Sequence, residues 1–254
     1  HRLSPTSLDV EHFYVRQDDS AGLRAALFAA RNRRVPLVTI EPFPPMGDSR
    51  PVLDVVVMGE RDGEILELAN VVAASYPQLV YLRWSQEMDL SGLYPWAAND
   101  PSLFREAFRH VVMLFRQRGA TNVRWVWSPA GVSGAQAYYP GEDVVDRIGL
   151  TILGDATWDH GYALQPQSFQ QLLRPKYDLV EQFSKPIIIA ELGVSGSAER
   201  QREWLAEVPG ALTHYPLVRA LVYFNAVNSP NAWATYRPDW RIARDVLGGL
   251  ASEL

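Results

Sequence analysis

A parallel α/β barrel of the TIM (β/α)8 type is the fold class predicted for this chain, on three observations. Seven short apolar runs recur at intervals of roughly 25 to 40 residues, and segments with one apolar helical face fill the gaps. The chain has 254 residues, a length common for one such barrel. An open doubly wound sheet would announce itself by a glycine-rich turn after its first strand, and none is present there.

The elements follow in order. His12 to Val15 is the first predicted strand, and a helix over Ala21 to Arg31 places Leu23, Ala26, Leu27 and Ala30 on one face. Val35 to Ile40 is the second strand and ends at Glu41. Pro44 to Arg61, rich in Pro, Gly and Asp, reads as a loop before a helix over Gly63 to Ala74 with Ile65, Leu68 and Val72 inward. The third strand, Leu79 to Leu82, leads into Arg83. Asp100 and Pro101 start a helix whose buried stripe is Phe104, Phe108, Val111 and Phe115, and Gly119 stops it. Val123 to Trp127 is the fourth strand, Ala130 to Gly141 a loop, and Asp146 to Ile152 the fifth strand. Helical sequence from Ser168 to Phe183 contains Pro175, so two pieces are predicted. The sixth strand runs from Lys185 to Ala190 and ends at Glu191. Ser197 caps a helix to about Val208, Val218 to Phe224 is the last strand, and a terminal helix over Asp239 to Leu247 closes the chain.

Seven strands are one short of a closed eightfold barrel. The first is the one expected to be missing, either upstream of His1 or reduced to Arg2 to Pro5. No Pro/Ser-rich linker or shift in composition divides the chain, so residues 1–254 are read as a single domain.

Composition narrows the function classes. With 47% apolar and 21% charged residues the chain can bury a full core, which excludes disorder. A net charge of −5, with both signs intermixed, argues against a nucleic-acid footprint. No apolar run approaches the roughly 18 residues of a membrane span, and no stretch of the sequence reads as a secretory leader. The absence of cysteine excludes disulfides and thiolate chemistry. The histidines are scattered without the zinc-binding i, i+4 pattern, so no metal site is expected.

In a parallel barrel the side chains just past the strand ends surround one mouth. That rule brings together Glu41, Arg83, Glu87, Trp127, Glu191 and Asn225. The stretch from Arg83 to Trp96 is the richest, setting Arg83, Gln86, Glu87 and Asp89 among Trp84, Tyr94 and Trp96. Two carboxylates on different strands are the minimum for glycoside hydrolysis: at about 5 to 5.5 Å apart, one attacks the anomeric carbon while the other shuttles the proton. An acid at Glu87 needs a raised pKa, which neighbouring Trp rings would supply by desolvation. Arg83, on an apolar strand, demands a carboxylate partner and suits an ionised nucleophile, which favours Glu191 for that role. Trp96, Trp127, Trp158 and Tyr223 stand between sugar platform and core. Trp84, Trp125 and Phe224 are expected to pack, and His12 to be a hydrogen-bonded strand histidine.

An ordered series of motifs then resembles glycoside hydrolase family 26. It comprises Arg83 with Glu87 Met88, Tyr94 Pro95 Trp96, Arg109 His110 Val111 Val112, Gly119 to Val123, Val126 Trp127 Ser128 Pro129, Tyr139 Pro140 Gly141, Lys185 Pro186 and Ala190 Glu191 Leu192 Gly193. That family belongs to the clan of retaining barrel hydrolases, with the acid/base after strand four and the nucleophile after strand seven. The resemblance therefore implies Glu87 as acid/base and Glu191 as nucleophile, while Arg83, Gln86, Trp96, Trp127, Trp158, Tyr223, Asn225 and Glu41 are the expected substrate-binding residues from their place at strand ends and among the aromatic rings. With the first strand missing, the strand count agrees. Two positions depart from the family's mannanases: Gln86 stands where they carry His, and Leu153 where they carry Tyr. The finer likeness is to a bacterial branch found beside polysaccharide-synthesis machinery.

The activity so implied is that of a retaining endo-β-glycanase on β-1,4-linked or mixed-linkage β-glucan or β-mannan. No cofactor is expected, and the expected compartment is secreted or periplasmic. The alternative is a weakly active or inactive polysaccharide-binding barrel that assists exopolysaccharide synthesis or export.

Overall fold

The computed structural model describes residues 9–31, 34–97, 99–157, 165–228, 237–244 and 246. Seven strands follow one another in sheet order: β1 Val10–Arg16, β2 Val35–Glu41, β3 Val80–Trp84, β4 Val123–Trp127, β5 Arg147–Gly154, β6 Ile187–Val194 and β7 Val218–Tyr223. The β1–β2, β2–β3, β3–β4, β4–β5 and β6–β7 pairings are all parallel. Each of the seven predicted strands is found. The eighth, expected at Arg2 to Pro5 or upstream, lies outside the described residues.

The described residues form two compact units. One comprises Asp9–Gly149 with Phe183–Pro186, and the other lies within Leu150–Gln182 and Ile187–Leu254.

In the first unit, helices α1 Ser20–Ala30, α2 Val52–Val57, α3 Asp62–Ala74 and α4 Pro101–Gln117 accompany β1 to β4. β2 is buried from Pro36 through Ile40, as a parallel strand covered on both faces should be. Asp100 caps α4, accepting from the Ser102 and Leu103 amides at 3.0 Å. The predicted stripe of α4 packs across two strands: Phe104 and Phe108 lie 6.2 and 6.3 Å from Trp84 of β3, and Phe115 lies 5.1 Å from Trp125 of β4. Each ring removed from water there contributes about 1.5–3 kcal/mol. Trp84 and Trp125 are thus core residues, as expected.

In the second unit, helices α5 Phe169–Val180 and α6 Ala198–Leu212 accompany the rest of β5 with β6 and β7. Phe169 meets Trp204 edge-on at 5.5 Å, joining the two helices. A Cβ at Gly154 would lie 2.9 Å from Trp204 Nε1, so the end of β5 admits only glycine beneath that ring.

The structure differs from the sequence expectation in three elements. The segment read as a loop from Pro44 to Arg61 contains α2, whose Val52, Leu53, Val55 and Val56 are buried. Tertiary burial overrides the weak helix preference of its valines. The helix containing Pro175 is not broken into two pieces: α5 continues through it to Val180, and Glu181–Phe183 adds a 3-10 turn. Pro175 and Gln171, whose carbonyl loses its helical donor, are both exposed, so water can serve that carbonyl while Phe169, Leu173, Tyr177 and Val180 hold the buried side. At the other end of the chain residues 239–243 are not helical. Asp239 pairs instead with Val227 in an antiparallel bridge, and its carboxylate accepts from the Arg241 amide at 3.0 Å.

Candidate active site

Glu87 sits on the turn that follows β3, in the first unit. Ser85 and Glu87 both adopt left-handed backbone, with φ of 53° and 54°. A side chain bearing Cβ pays for that conformation in steric strain, so the surroundings must hold it. They do so from three sides. The Ser85 amide donates to Ile40 O at 3.2 Å, the Glu87 amide to Ser128 O at 2.8 Å, and Trp96 Nε1 to Gln86 O at 2.7 Å. Two residues on, Asp89 accepts from the amides of Ala130, Gly131 and Val132 at 2.7, 2.9 and 3.1 Å. The Glu87 side chain, half-buried, accepts from the Tyr94 hydroxyl at 3.3 Å.

Beneath this turn lies Arg83, fully buried. Sheet register puts Tyr14 level with Thr39 and Thr39 level with Arg83. The guanidinium accordingly donates to Thr39 Oγ1 at 2.6 Å, Ser128 Oγ at 3.4 Å and the Tyr14 hydroxyl at 3.4 Å. His12 Nε2 lies 2.7 Å from the same Thr39 oxygen, which makes it the hydrogen-bonded strand histidine that was expected. Glu41, at the end of β2, accepts from Gln86 Nε2 at 3.0 Å. The turn after Glu41 is held in turn by Arg61, which donates to Phe43 O at 3.0 Å and to Glu64 at 2.8 Å.

Two of the candidate sugar platforms are corrected. Trp96 and Trp127 are both fully buried. Trp96 is enclosed between Tyr94, stacked 4.8 Å away at 3°, and Phe43, edge-on at 5.1 Å. Trp127 packs edge-on against Tyr139 at 5.2 Å and Phe183 at 5.6 Å. Rings covered on both sides contribute packing rather than a sugar face. Tyr94 is the half-exposed ring of this group, and it belongs to the stretch that drew attention in the sequence. Burial pushes the Tyr139 hydroxyl up to about 12.

In the second unit, Glu191 lies half-buried on β6, within an irregularity of the β6–β7 register between Ile189 and Leu192. Beyond it the strand end is tied down: the Ser195 amide donates to Gly154 O at 3.0 Å, and the Ser195 hydroxyl donates to the buried Asp155 carboxylate. This pair went unnoticed in the sequence, where short polar residues after a strand carry no signal. Tyr223 ends β7, and burial raises its hydroxyl pKa. Asn225 is exposed, and its side-chain oxygen accepts from the Ile242 amide at 2.9 Å. Trp158 lies outside the described residues. Among the described residues, no group of three or more His, Cys, Asp or Glu is placed to hold a metal ion, and no helix is long and apolar enough to cross a membrane.

Glycosyl hydrolase family 26 is the family whose model matches, over residues 74–180, a stretch that contains Glu87 and ends before Glu191. Endoglucanase H of Acetivibrio thermocellus is 32% identical over 201 residues, covering 70% of this chain and 22% of that protein. The beta-1,3-xylanase TXYA of Vibrio sp is 28% identical over 133 residues, covering 45% of this chain and 28% of that protein. The chain thus spans well under a third of the length of either relative. Among solved structures, the GH26 beta-mannanase BoMan26A of Bacteroides ovatus aligns with a TM-score of 0.68 at 18% identity, covering 96% of this chain and 77% of that one. That likeness shows the fold, an α/β chain of the TIM-barrel type.

Proposed function

Since this chain belongs to glycosyl hydrolase family 26, we propose that it is a retaining endo-β-glycanase acting on β-1,4-linked or mixed-linkage β-glucan or β-mannan. The observation that carries the reading is two half-buried carboxylates in a TIM-type chain, Glu87 on the turn just after β3 and Glu191 on β6. Glu191 attacks the anomeric carbon as the glycosidic C–O bond breaks, and the Glu87 carboxylic acid gives its proton to the departing oxygen. Water then attacks the same carbon, Glu87 takes the water proton, and the bond to Glu191 breaks with net retention. Glu41, Tyr223 and Asn225 would contact the bound sugar, while Arg83 and Gln86, buried beneath the site, brace the strand ends rather than touch it.

Product release from barley mixed-linkage glucan, glucomannan, galactomannan, carboxymethylcellulose and β-1,3-xylan tests this, comparing wild type with Glu87→Ala and Glu191→Ala. Oligosaccharides from any of the first four polymers, lost in both variants, support the assignment, and cleavage of β-1,3-xylan alone contradicts the substrate class. An undiminished Glu191→Ala contradicts it.

A second reading rests on Gln86. An amide held on Glu41 stands directly before the proposed acid, where the family's mannanases carry His. A barrel that binds polysaccharide beside its synthesis machinery would cut none of the five polymers and yet be retarded by one of them in an affinity gel.

A further inference from the structure

The turn bearing Glu87 is fastened to the loop after β4 at two points, and the second of these has no role in the chemistry proposed above. The first is the Glu87 amide on Ser128 O, at 2.8 Å. The second is Asp89, whose two carboxylate oxygens accept from three successive amides, Ala130, Gly131 and Val132, at 2.7, 2.9 and 3.1 Å. Gly131 has φ of +84°, the left-handed conformation that turns successive amides toward one point and makes a concave anion seat. An ionised acceptor makes such bonds roughly twice as strong as neutral ones.

Between the two fastenings lies the strained part of the turn. Left-handed backbone at Glu87 is strained and persists only where its neighbours over-determine it. We propose that Asp89 is a positioning residue for the acid/base: seated in the Ala130–Val132 amides, it holds the Glu87 turn against the β4 loop and so fixes where the Glu87 carboxyl points. This rests on the reading of Glu87 as acid/base. Asp89 acts through the Glu87 turn, by way of the amides it accepts from.

The test separates the proton-donating step from the fold. Asp89→Asn keeps the shape but loses the charge, and Gly131→Ala disturbs the amide seat without touching the carboxylate. Each is compared with wild type and Glu87→Ala on two substrates: the polymer of the panel that wild type cuts, and the 2,4-dinitrophenyl β-glycoside of the same sugar, whose leaving group departs without a proton. Both Asp89→Asn and Gly131→Ala are expected to lose about tenfold or more in kcat/KM on the polymer and less than about threefold on the aryl glycoside. That is the pattern of Glu87→Ala in milder form, with far-UV circular dichroism unchanged.

Equal losses on both substrates overturn the proposal, because a merely structural anchor would lower both. So does failure of both variants to fold, since the clamp would then serve the whole unit. If Glu87→Ala loses the polymer and Asp89→Asn does not, the clamp alone fails. If Glu87→Ala keeps the polymer, the acid/base reading fails and the clamp with it.

Discussion

Arg83, with no exposed surface, donates from Nε to the Thr39 hydroxyl across the β2–β3 ladder at 2.6 Å. A buried guanidinium is costly unless its donors are met, so the Thr39 oxygen supports both the stability of the strand pair and the frame beneath Glu87. Thr39→Val keeps the volume and removes the acceptor. It is expected to destabilise the protein by about 1–3 kcal/mol, read from urea unfolding, whereas Thr39→Ser keeps the acceptor and loses only its buried methyl, about 1 kcal/mol. An unchanged Thr39→Val midpoint would contradict this.

Gly149 lies against the same network. A Cβ there would come within 2.7 Å of Ser128 Oγ and 3.1 Å of Val126 Cγ1. Ser128 accepts from Arg83 through its hydroxyl and from the Glu87 amide through its carbonyl. Gly149→Ala is therefore expected to lower both thermal stability, by about 1–3 kcal/mol, and turnover. Gly63→Ala, in helix α3 where a Cβ meets nothing within 4 Å, is the control and should leave turnover unchanged and stability the same or slightly higher.

Tyr94 is expected to act on turnover rather than on binding. Its hydroxyl reaches Glu87 at 3.3 Å while its ring stacks on Trp96. Tyr94→Phe keeps the stack and should lower kcat severalfold with KM little changed. A rise in KM at constant kcat would assign the hydroxyl to substrate instead.

Tyr139 gives an alkaline signature. Burial raises its pKa to about 12, above the value near 10 of an unfolded tyrosine. The unfolded chain then releases its proton first, so the contribution is full below pH 10 and is lost as pH rises from 10 to about 12. The hydroxyl oxygen is buried without a hydrogen-bond partner among the described residues. Tyr139→Phe should therefore be neutral or stabilising at pH 7 and should flatten the fall in melting temperature above pH 10. A lower melting temperature at pH 7 would refute it.

Most of the fold was legible because its signals are local. The strands are short apolar runs bounded by polar turns, and α4 carries its own cap at Asp100, its stop at Gly119 and a four-residue stripe that the structure buries throughout. What was illegible depends on tertiary contacts. Valine-rich α2 forms only because it is buried, and α5 continues through Pro175 where the orphaned carbonyl belongs to an exposed residue, Gln171. Glu41, Arg83 and Glu87 lie at or just past strand ends, as their place in the sequence implied, and Gln86 joins Glu41 there through a hydrogen bond. Trp96 and Trp127 were not resolved there, since a ring beside a strand end reads the same in sequence whether its face is open or covered. The hydrogen bonds of Asp89, Thr39 and Ser128 were not legible because a short polar side chain announces its partners only in three dimensions.

The central claim is double displacement through Glu191. Proton NMR of the first product released from whichever polymer is cut tests it most directly, read before mutarotation scrambles the new reducing end. The account predicts the β-anomer first, and no product from Glu191→Ala. The α-anomer first, or β-product from Glu191→Ala at the wild-type rate, would contradict it.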